Sequence, residues 1–421
     1  MYYWYKFFTY LFLPFAPIYL YLRKVKKKED PDRYVEKISR ISLPRGDGFL
    51  IWFHVASVGE LMSILPLIEH LENEKKINKI LITSITLSAG NIVKKQFTKY
   101  TKITHQFLPL DIAVLTNKFL DHWKPNLSIF IDSEIWPNLI LQANKKKIPL
   151  LLINGRITKK SFVRWKFIIS FAKKIFGTFN LCIASNKESE DFLKILGAKN
   201  IKNYGNLKFS SKKTNMKKIL DSNFLTKIKN KKIWCAASTH SNEEIICAKT
   251  HLKVKKKIDK VLTIIIPRHV NRVKEINKKL TELNLKVVFF SKLNELDEKT
   301  DILLIDSYGE SLKFYNISKY VFLGKSLIKS LIKDSGQNPI EPAKLGCEIF
   351  HGPNVNNFTE IYEYLRKCGI TKKINNYEEL GVSLIEGFQE DKPRNYESVR
   401  EIEIYGKNIF DNVIMEINRY I

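Results

Sequence analysis

The stretch IWFHVASVGELMSILPLI, residues 51–68, changes character twice. An apolar run that ends at Val55 is followed by the small residues Ala-Ser-Val-Gly, and Glu60 then opens an amphipathic pattern. A short apolar run bounded by small residues predicts a buried strand, and the pattern after it predicts a helix. The stretch therefore predicts strand, tight turn and helix, with a carboxylate on the first helical turn.

The same alternation of apolar runs and helical patterns continues along the chain. The predicted strands are 49–55, 79–86, 127–132, 149–155 and 181–185, and then 232–238, 261–269, 286–291, 301–306, 320–324 and 348–352. Strands that alternate with crossover helices predict parallel sheets with helices on both faces. We expect two similar α/β domains, at 40–208 and 209–394, and a closing amphipathic helix at 395–421.

The N-terminal segment has a different composition. Residues 1–22 are rich in aromatics and carry one charge, Lys6, and the basic run RKVKKK follows at 23–28. This length just reaches the roughly 20 residues that span a bilayer, and the basic run places the rest of the chain on the cytoplasmic side. The segment predicts a retained membrane-anchor helix, although Pro14 and Pro17 leave open a helix that lies in the membrane interface.

The large positive net charge of the chain excludes few classes of function. The 421 residues include 71 Lys and Arg against 43 Asp and Glu, a formal charge of +28. Such an excess suits anionic membranes, anionic substrates or nucleic acid, but lysine spread evenly along the chain also fits a general compositional bias. No zinc finger, RNP-like motif or basic heptad region occurs, so we expect no nucleic-acid partner.

Several classes of site are excluded by motif. The five cysteines are scattered without a C-x-x-C pair, which predicts reduced residues and neither disulfides nor a zinc site. Walker A, G-x-G-x-x-G, G-x-S-x-G and H-E-x-x-H patterns are absent from the sequence. The remaining polar motifs lie at predicted strand ends, which is where open α/β sheets bind ligands.

In the first half these motifs are Glu60, the run DSEIWPN at 132–138, Asn154-Gly155-Arg156 and the run NLKF at 206–209. Glu60 has two interpretations. It either complements the helix dipole, worth about 0.3–1 kcal/mol, or acts as a general base at a cleft. The residues of this stretch alone leave both open.

In the second half, Ser241-x-x-Glu244 predicts a capping box, and Arg268 and His269 close a strand. The run at 322–346, FLGKSLIKSLIKDSGQNPIEPAKLG, predicts a loop and a helix capped by Asn338. Asn338 and Glu341 are three residues apart and share a face of the first turn, where an amide and an acid could recognise a ribose or a base.

Eight motifs in order carry a resemblance that covers nearly the whole chain: HVASVGE, DSEIWPN, INGR, GNLKF, ASTHSNEE, IIPRH, DSYGE and GQNPIEPA. Together they resemble the 3-deoxy-D-manno-octulosonic acid (Kdo) transferases of lipopolysaccharide synthesis. The resemblance implies a GT-B fold, in which two Rossmann-like domains have parallel sheets facing across a cleft. It further implies an inverting glycosyltransferase that needs no metal or other cofactor, with CMP-Kdo as donor. The implied acceptor is a lipid A precursor, lipid IVA, at the cytoplasmic face of the inner membrane.

The resemblance also implies roles for single residues. Glu60 takes the place of the proton acceptor, and Glu134 and Lys208 take the places of transition-state stabilisers. The implied CMP contacts are Pro267, Arg268, Tyr308, Gly309, Glu310, Asn338, Pro339, Ile340 and Glu341.

The chain departs from the family pattern at a few positions. Lys325 replaces a glycine of Gly-Gly-Ser, and Ser335 and Gln337 replace the outer residues of Gly-Gly-His. Two other functions remain open on the residues alone: a GT-B enzyme that uses a UDP-sugar, and a basic non-enzymatic adaptor for membranes or nucleic acid.

Overall fold

The computed structural model describes residues 1–41, 43–211, 220–328 and 335–421. Part of the predicted loop within 322–346, at 329–334, and part of the lysine-rich passage between the predicted halves, at 212–219, therefore lie outside the described residues. The chain divides into two compact units. The first unit comprises residues 1–211 and 405–421, and the second unit comprises residues 212–404.

The first unit contains a seven-stranded parallel sheet with the order β3-β2-β1-β4-β5-β6-β7. Its strands are β1 (Phe49–Val55), β2 (Ile77–Ser84), β3 (Ile103–Phe107), β4 (Leu127–Ile131), β5 (Leu150–Gly155), β6 (Leu181–Ala184) and β7 (Ile201–Asn203). Both faces of the central strands are buried, as a parallel sheet covered by helices requires. The core on one face is built around Trp52, Phe119, Trp123 and Phe130.

The second unit contains a second seven-stranded parallel sheet, with the order β10-β11-β9-β8-β12-β13-β14. Its strands are β8 (Lys232–Thr239), β9 (Val261–Pro267), β10 (Val287–Phe289), β11 (Ile302–Leu304), β12 (Tyr320–Leu323), β13 (Glu348–His351) and β14 (Thr371–Lys373). Trp234, Phe322 and Phe350 lie in its core. The predicted two-domain α/β architecture with parallel sheets is confirmed.

Helices connect most successive strands, and two helices precede β1. In the first unit they are α1 (Tyr2–Leu11), α2 (Ala16–Val25), α3 (Val58–Glu72), α4 (Leu87–Gln96), α5 (Ala113–Trp123), α6 (Pro137–Lys145), α7 (Lys159–Phe167), α8 (Ile169–Phe176) and α9 (Lys187–Ile195). In the second unit they are α10 (Ser222–Ile228), α11 (Glu243–Lys255), α12 (Val273–Thr281), α13 (Ser311–Ile317), α14 (Ile340–Lys344), α15 (Thr359–Lys367) and α16 (Tyr377–Glu390). The last helix, α17 (Tyr396–Asn418), begins in the second unit and ends in the first.

Each sheet has one point at which the strand order reverses. In the first unit the chain proceeds from β1 to β2 and β3 on one side, and β4 then pairs with the other side of β1. In the second unit the corresponding neighbours are β8 and β12. Ligands of open α/β sheets bind beyond the carboxyl ends of the two strands at such a switch point. A binding site is therefore expected in the loops that follow β1, β4, β8 and β12.

The N-terminal segment differs from the single membrane-anchor helix predicted for residues 1–22. It forms two ten-residue helices, α1 and α2, with a short 3₁₀ turn at Leu13–Phe15 between them. Proline has no backbone N–H and its ring crowds the preceding turn, so Pro14 and Pro17 end one helix and start the next. None of the helices in the described ranges is long and apolar enough to cross a membrane. The segment is thus two short helices and not the one helix predicted for residues 1–22.

Both N-terminal helices pack against the rest of the first unit. Tyr5 donates a hydrogen bond of 2.8 Å to Asp111, and the side chains of Ala16 and Leu20 are buried. The opposite face is open, because Tyr3, Trp4, Phe7 and Phe8 are each more than half exposed. The segment is thus attached on one side and presents aromatic rings on the other.

Candidate functional site

Glu60 lies at the start of α3, in the loop after β1. Ser57 is the N-cap of α3, and its hydroxyl oxygen accepts a hydrogen bond from the Glu60 amide. The Glu60 carboxylate in turn accepts from the Ala56 amide at 2.7 Å and from the Ser57 hydroxyl at 2.9 Å. This reciprocal arrangement is a variant of the capping box, in which the carboxylate binds the amide of the residue before the N-cap, so the structural role considered for Glu60 is present.

The environment of Glu60 also suits proton transfer. Burial raises the pKa of Glu60 to about 7; the Ala56 amide opposes that shift, and the charges of Asp132 and Glu134 add to it. A carboxylate that titrates near neutral pH can take a proton from a hydroxyl group and release it again. Helix capping and base chemistry are therefore compatible in this one residue.

Asp132 and Glu134 follow β4, which is the other strand of the switch point. Asp132 is buried and has a left-handed backbone with φ of 59°, a conformation that costs free energy and is concentrated at functional sites. Burial raises the pKa of Asp132, and the charges of Lys208 and Arg156 oppose that rise. The Lys208 Nζ atom lies 3.9 Å from Asp132 Oδ2.

Lys208 reaches this place from a short 3₁₀ turn, Leu207–Ser210. The turn is held by two asparagine side chains, since Asn154 accepts from the Leu207 amide at 2.9 Å and Asn206 accepts from the Lys208 amide at 3.0 Å. Asn154, the last residue but one of β5, has a left-handed φ of 56°. Residues of the motifs INGR and GNLKF thus hydrogen-bond to each other and place Lys208. Within the first unit, Glu60, Glu134 and Lys208 all lie near Asp132.

Glu134 is linked to the sheet below it. Its Oε2 atom accepts a hydrogen bond of 3.0 Å from the indole nitrogen of Trp136 and lies 3.3 Å from Nε2 of His54. His54 is completely buried on β1. The sequence predicts no role for His54, because an isolated histidine in an apolar strand carries no motif.

A buried carboxylate joins the two loops at the switch point of the second unit. Glu243, which is fully buried, accepts hydrogen bonds from the amides of His240, Lys325, Ser326 and Leu327 at 2.9, 2.6, 3.0 and 3.2 Å. It fastens the loop after β8 to the loop after β12. The sequence does not predict this role, for which its one signal is a second acid beside Glu244.

The predicted Ser241-x-x-Glu244 capping box is wrong. Helix α11 begins at Glu243 after Asn242, which has a left-handed φ of 74° and no side-chain capping bond. Glu244 instead accepts from the Thr239 hydroxyl and pairs with Arg272 at 3.0 Å. Glu243 and Glu244 both bind groups in the neighbouring loops, so neither side chain forms the predicted cap.

The departures from the family pattern fall in the loop after β12. A side chain at Gly324 would lie 2.6 Å from the Ser238 carbonyl oxygen, so the two loops approach closely there. Lys325 has a left-handed φ of 58°, which glycine adopts more readily. Ser335 is buried and its hydroxyl oxygen accepts from the Asn356 amide, while the Gln337 carbonyl accepts from the Tyr362 hydroxyl.

The residues implied to contact CMP lie in the second unit after β9, β11 and β12. Pro267 is the last residue of β9, and Arg268 beyond it is exposed. The Tyr308 hydroxyl accepts from the Val270 amide at 3.3 Å, which ties the loop after β11 to the loop after β9. Glu310 precedes α13 and forms an ion pair with Lys313 at 2.7 Å, and Gly309 before it has a φ of 81°.

The last implied contacts lie at α14, which is only five residues long. The Asn338 side chain accepts from the Ile340 amide at 3.1 Å, as a capping residue does, although the helix starts at Ile340 and Pro339 precedes it. Glu341 is exposed on the first turn and its charge raises the pKa of the buried Tyr315 further, after burial itself. The implied residues therefore share the carboxyl edge of the second sheet.

Two units, each with a seven-stranded parallel sheet and polar loops at its switch point, define a two-domain α/β protein of the GT-B-like class. A structure of UDP-GlcNAc 2-epimerase from Neisseria meningitidis bound to UDP-GlcNAc has this fold, with a TM-score of 0.59, 16% identity, and coverage of 88% of this chain and 100% of that one. At this identity the likeness concerns the fold alone.

Sequence relatives identify the family. The chain is 34% identical over 380 residues to the 3-deoxy-D-manno-octulosonic acid transferase of Rickettsia bellii. The aligned region covers 89% of this chain and 88% of that protein. It is 30% identical over 384 residues to the enzyme of the same name from Haemophilus influenzae, with the same coverage of both chains. Residues 27–211 match the family described as 3-Deoxy-D-manno-octulosonic-acid transferase (kdotransferase). The chain belongs to the Kdo transferases and is a glycosyltransferase, so the alternative of a non-enzymatic adaptor is wrong.

Proposed function

We propose that the chain moves Kdo from CMP-Kdo to a lipid A precursor such as lipid IVA, with inversion at the anomeric carbon. Family membership supports the transferred sugar. The observation that carries the residue roles is the position of Glu60 at the switch point of the first unit, where burial brings its pKa to about 7.

In the proposed reaction Glu60 acts as the base. The acceptor hydroxyl oxygen forms a bond to the anomeric carbon of Kdo while the bond from that carbon to the CMP phosphate oxygen breaks. The electron pair of the broken bond leaves on CMP, and the hydroxyl proton passes to the Glu60 carboxylate. Lys208 offsets the negative charge of the donor, and Glu134 stabilises positive charge that develops on the sugar.

The second unit is proposed to bind the nucleotide. Arg268 suits the phosphate, because its planar guanidinium group stays charged and can donate two parallel hydrogen bonds. The other proposed contacts lie at the same edge of the second sheet and are Pro267, Tyr308, Gly309, Glu310, Asn338, Pro339, Ile340 and Glu341. No metal is assigned a role in this proposal.

We further propose that the enzyme works at the cytoplasmic face of the inner membrane, with α1 and α2 lying in the membrane interface. The exposed rings of Trp4, Phe7 and Phe8 supply apolar surface, and the basic run at 23–28 supplies charge for anionic lipids. Co-sedimentation with vesicles that contain anionic lipid tests this. Replacement of Phe7 and Phe8 by serine should release the protein, whereas Val382→Ser, an exposed control in the second unit, should not.

One assay tests the proposed reaction directly. The purified enzyme is incubated with CMP-Kdo and tetraacylated lipid A precursor, and the product is weighed by mass spectrometry. A mass increase by one or more Kdo units supports the proposal, and an unchanged acceptor contradicts it. A thermal-shift assay with CMP and with UDP separates the nucleotides, since stabilisation by UDP alone would favour an enzyme that uses a UDP-sugar.

A further inference from the structure

A chain of hydrogen bonds runs through the core of the first unit to Glu134. Trp52 donates from its indole nitrogen to the Thr83 hydroxyl oxygen at 2.8 Å. The same oxygen lies 2.9 Å from Nδ1 of His54, and Nε2 of that ring lies 3.3 Å from Glu134 Oε2. Trp52, Thr83 and His54 are all fully buried.

The direction of this chain follows from the chemistry of its first member. An indole nitrogen can only donate, so Thr83 accepts there and must donate its own proton elsewhere. The two acceptors within reach are Nδ1 of His54 at 2.9 Å and the Phe53 carbonyl oxygen at 3.4 Å. The shorter contact is the better hydrogen bond. Nδ1 of His54 therefore accepts, and the ring proton lies on Nε2, on the side of Glu134. The indole nitrogen of Trp136 lies 3.1 Å from this Nε2 and 3.0 Å from Glu134 Oε2. Because an indole nitrogen can only donate, its proton goes to the Glu134 carboxylate when Nε2 is protonated.

The register of the sheet sets this geometry. His54 pairs with Thr83 on β2 and with Phe130 on β4. The imidazole packs edge-to-face against Phe130, with ring centroids 5.8 Å apart, and has little freedom to turn. A ring held in this way delivers its N–H group to one place only.

Resting on the proposed function of Glu134, we propose that His54 is a positioning residue, which holds the Glu134 carboxylate in its working orientation through the chain from Trp52 and Thr83. His54 touches neither substrate in this proposal and acts only through Glu134. Trp136 donates to the same carboxylate oxygen at 3.0 Å and completes its setting. The charged groups around this point are Glu60, Asp132, Lys208 and Arg156.

Two substitutions at His54 separate positioning from packing. His54→Phe keeps a ring of similar shape and removes both nitrogens, whereas His54→Gln keeps one acceptor for Thr83 and one donor for Glu134. We expect His54→Phe to lower kcat about 10²-fold, as a misplaced catalytic group does, with little change in CMP binding to the second unit. His54→Gln should recover most of that loss.

The pH profile provides a readout that packing alone would not move. Without its donor the Glu134 carboxylate leaves its orientation beside Glu60, and because the nearby charge of Glu134 raises the pKa of Glu60, its displacement lowers that pKa. The acidic limb of kcat against pH should therefore shift to lower pH in His54→Phe and stay near the wild-type position in His54→Gln. Equal profiles for wild type and His54→Phe, or equal losses in the two variants, would overturn the proposal.

A second variant and an NMR measurement test the role of His54 even if His54→Phe does not fold. If His54→Phe does not unfold cooperatively, Thr83→Val, which removes the hydroxyl and keeps nearly the same shape, should shift the pH limb in the same direction, and an unchanged limb overturns the proposal. Nitrogen-15 NMR of the protein with its 8 histidines labelled should show a buried ring protonated at Nε2 that disappears in His54→Phe. A neutral ring protonated at Nδ1 would overturn the proposal without any assay of activity. Failure of the wild type to transfer Kdo would contradict the proposed function instead.

Discussion

Oε2 of Glu60 accepts a hydrogen bond of 2.7 Å from the backbone amide of Ala56, four residues earlier in the chain. The carboxylate therefore caps α3 as well as lying beside Asp132 and Glu134. Removing the whole side chain would disturb the helix and the chemistry together. A useful variant keeps the cap and removes the base.

Glu60→Gln has this property, because the amide oxygen of glutamine can still accept from Ala56. We expect transfer of Kdo to fall by about 10²–10⁴-fold, the usual contribution of a positioned base, while CMP still stabilises the protein in a thermal-shift assay. The matched control is Glu379→Gln in the second unit. Glu379 forms the same kind of capping box at α16, with Asn376 as N-cap and the Asn375 amide as donor, and is exposed. Near-normal transfer by Glu60→Gln would contradict the assignment of the base.

The raised pKa of Glu60 predicts a pH dependence of rate. The base form of Glu60 increases as the pH rises through about 7, so kcat should rise between pH 5.5 and 8 and then level off. Rates measured across that range in buffers of constant ionic strength test this. A rate that is constant down to pH 5 would show that Glu60 titrates at its ordinary value.

The same pKa predicts an effect on stability with a defined sign. The folded-state pKa lies above the value of 4.5 for the free side chain, so the folded protein binds this proton more tightly than the unfolded chain does. The resulting stabilisation is complete below pH 4.5 and is lost as the pH rises through about 7. Wild type should therefore lose stability relative to Glu60→Gln between pH 5 and pH 8 in urea unfolding. A difference between the two proteins that does not change with pH would contradict this.

The sequence predicted the interior of the fold better than its edges. Central strands such as β1 and β4 are continuous apolar runs, because both faces of a parallel sheet are covered. The missed strands were β3, β7 and β14, each at an edge of its sheet, where β3 alternates with polar residues and the other two have only three residues each. An apolar pattern cannot reveal a strand that has little apolar surface to bury.

The candidate site was predictable where residues follow strand ends, as with Glu60, Glu134 and Arg268. Glu243 was not, because three of its four partners are backbone amides more than 80 residues away, and a sequence does not show which amides a side chain binds. The membrane anchor was predicted from composition, and the effect of Pro14 and Pro17 on the helix was stronger than composition indicated. Long-range hydrogen bonds and helix breaks thus account for most of the difference between prediction and structure.

The attachment of α1 to the first unit predicts a stability difference between two tyrosines of the same helix. Tyr5 donates to Asp111, a buried carboxylate that also accepts from the amides of Asn138 and Leu139 at the start of α6. Tyr5→Phe should lower the free energy of unfolding by about 1–3 kcal/mol, since a buried acceptor loses its donor. The control Tyr3→Phe alters a side chain that is 81% exposed and should have almost no effect. Equal urea midpoints for the two variants would show that the hydrogen bond from Tyr5 to Asp111 contributes little to stability.

The left-handed backbone of Lys325 makes it a place where the chain can be stabilised. A residue with a side chain pays roughly 1–2 kcal/mol in this conformation and glycine does not, although glycine also gives the unfolded chain more freedom. We expect Lys325→Gly to raise the free energy of unfolding by up to about 1 kcal/mol, measured by urea unfolding in the presence and absence of CMP. Lys256→Gly is the control, because Lys256 has an ordinary φ of −69° at the end of α11 and should lose stability on the same change. Equal losses of stability in the two variants would contradict this prediction.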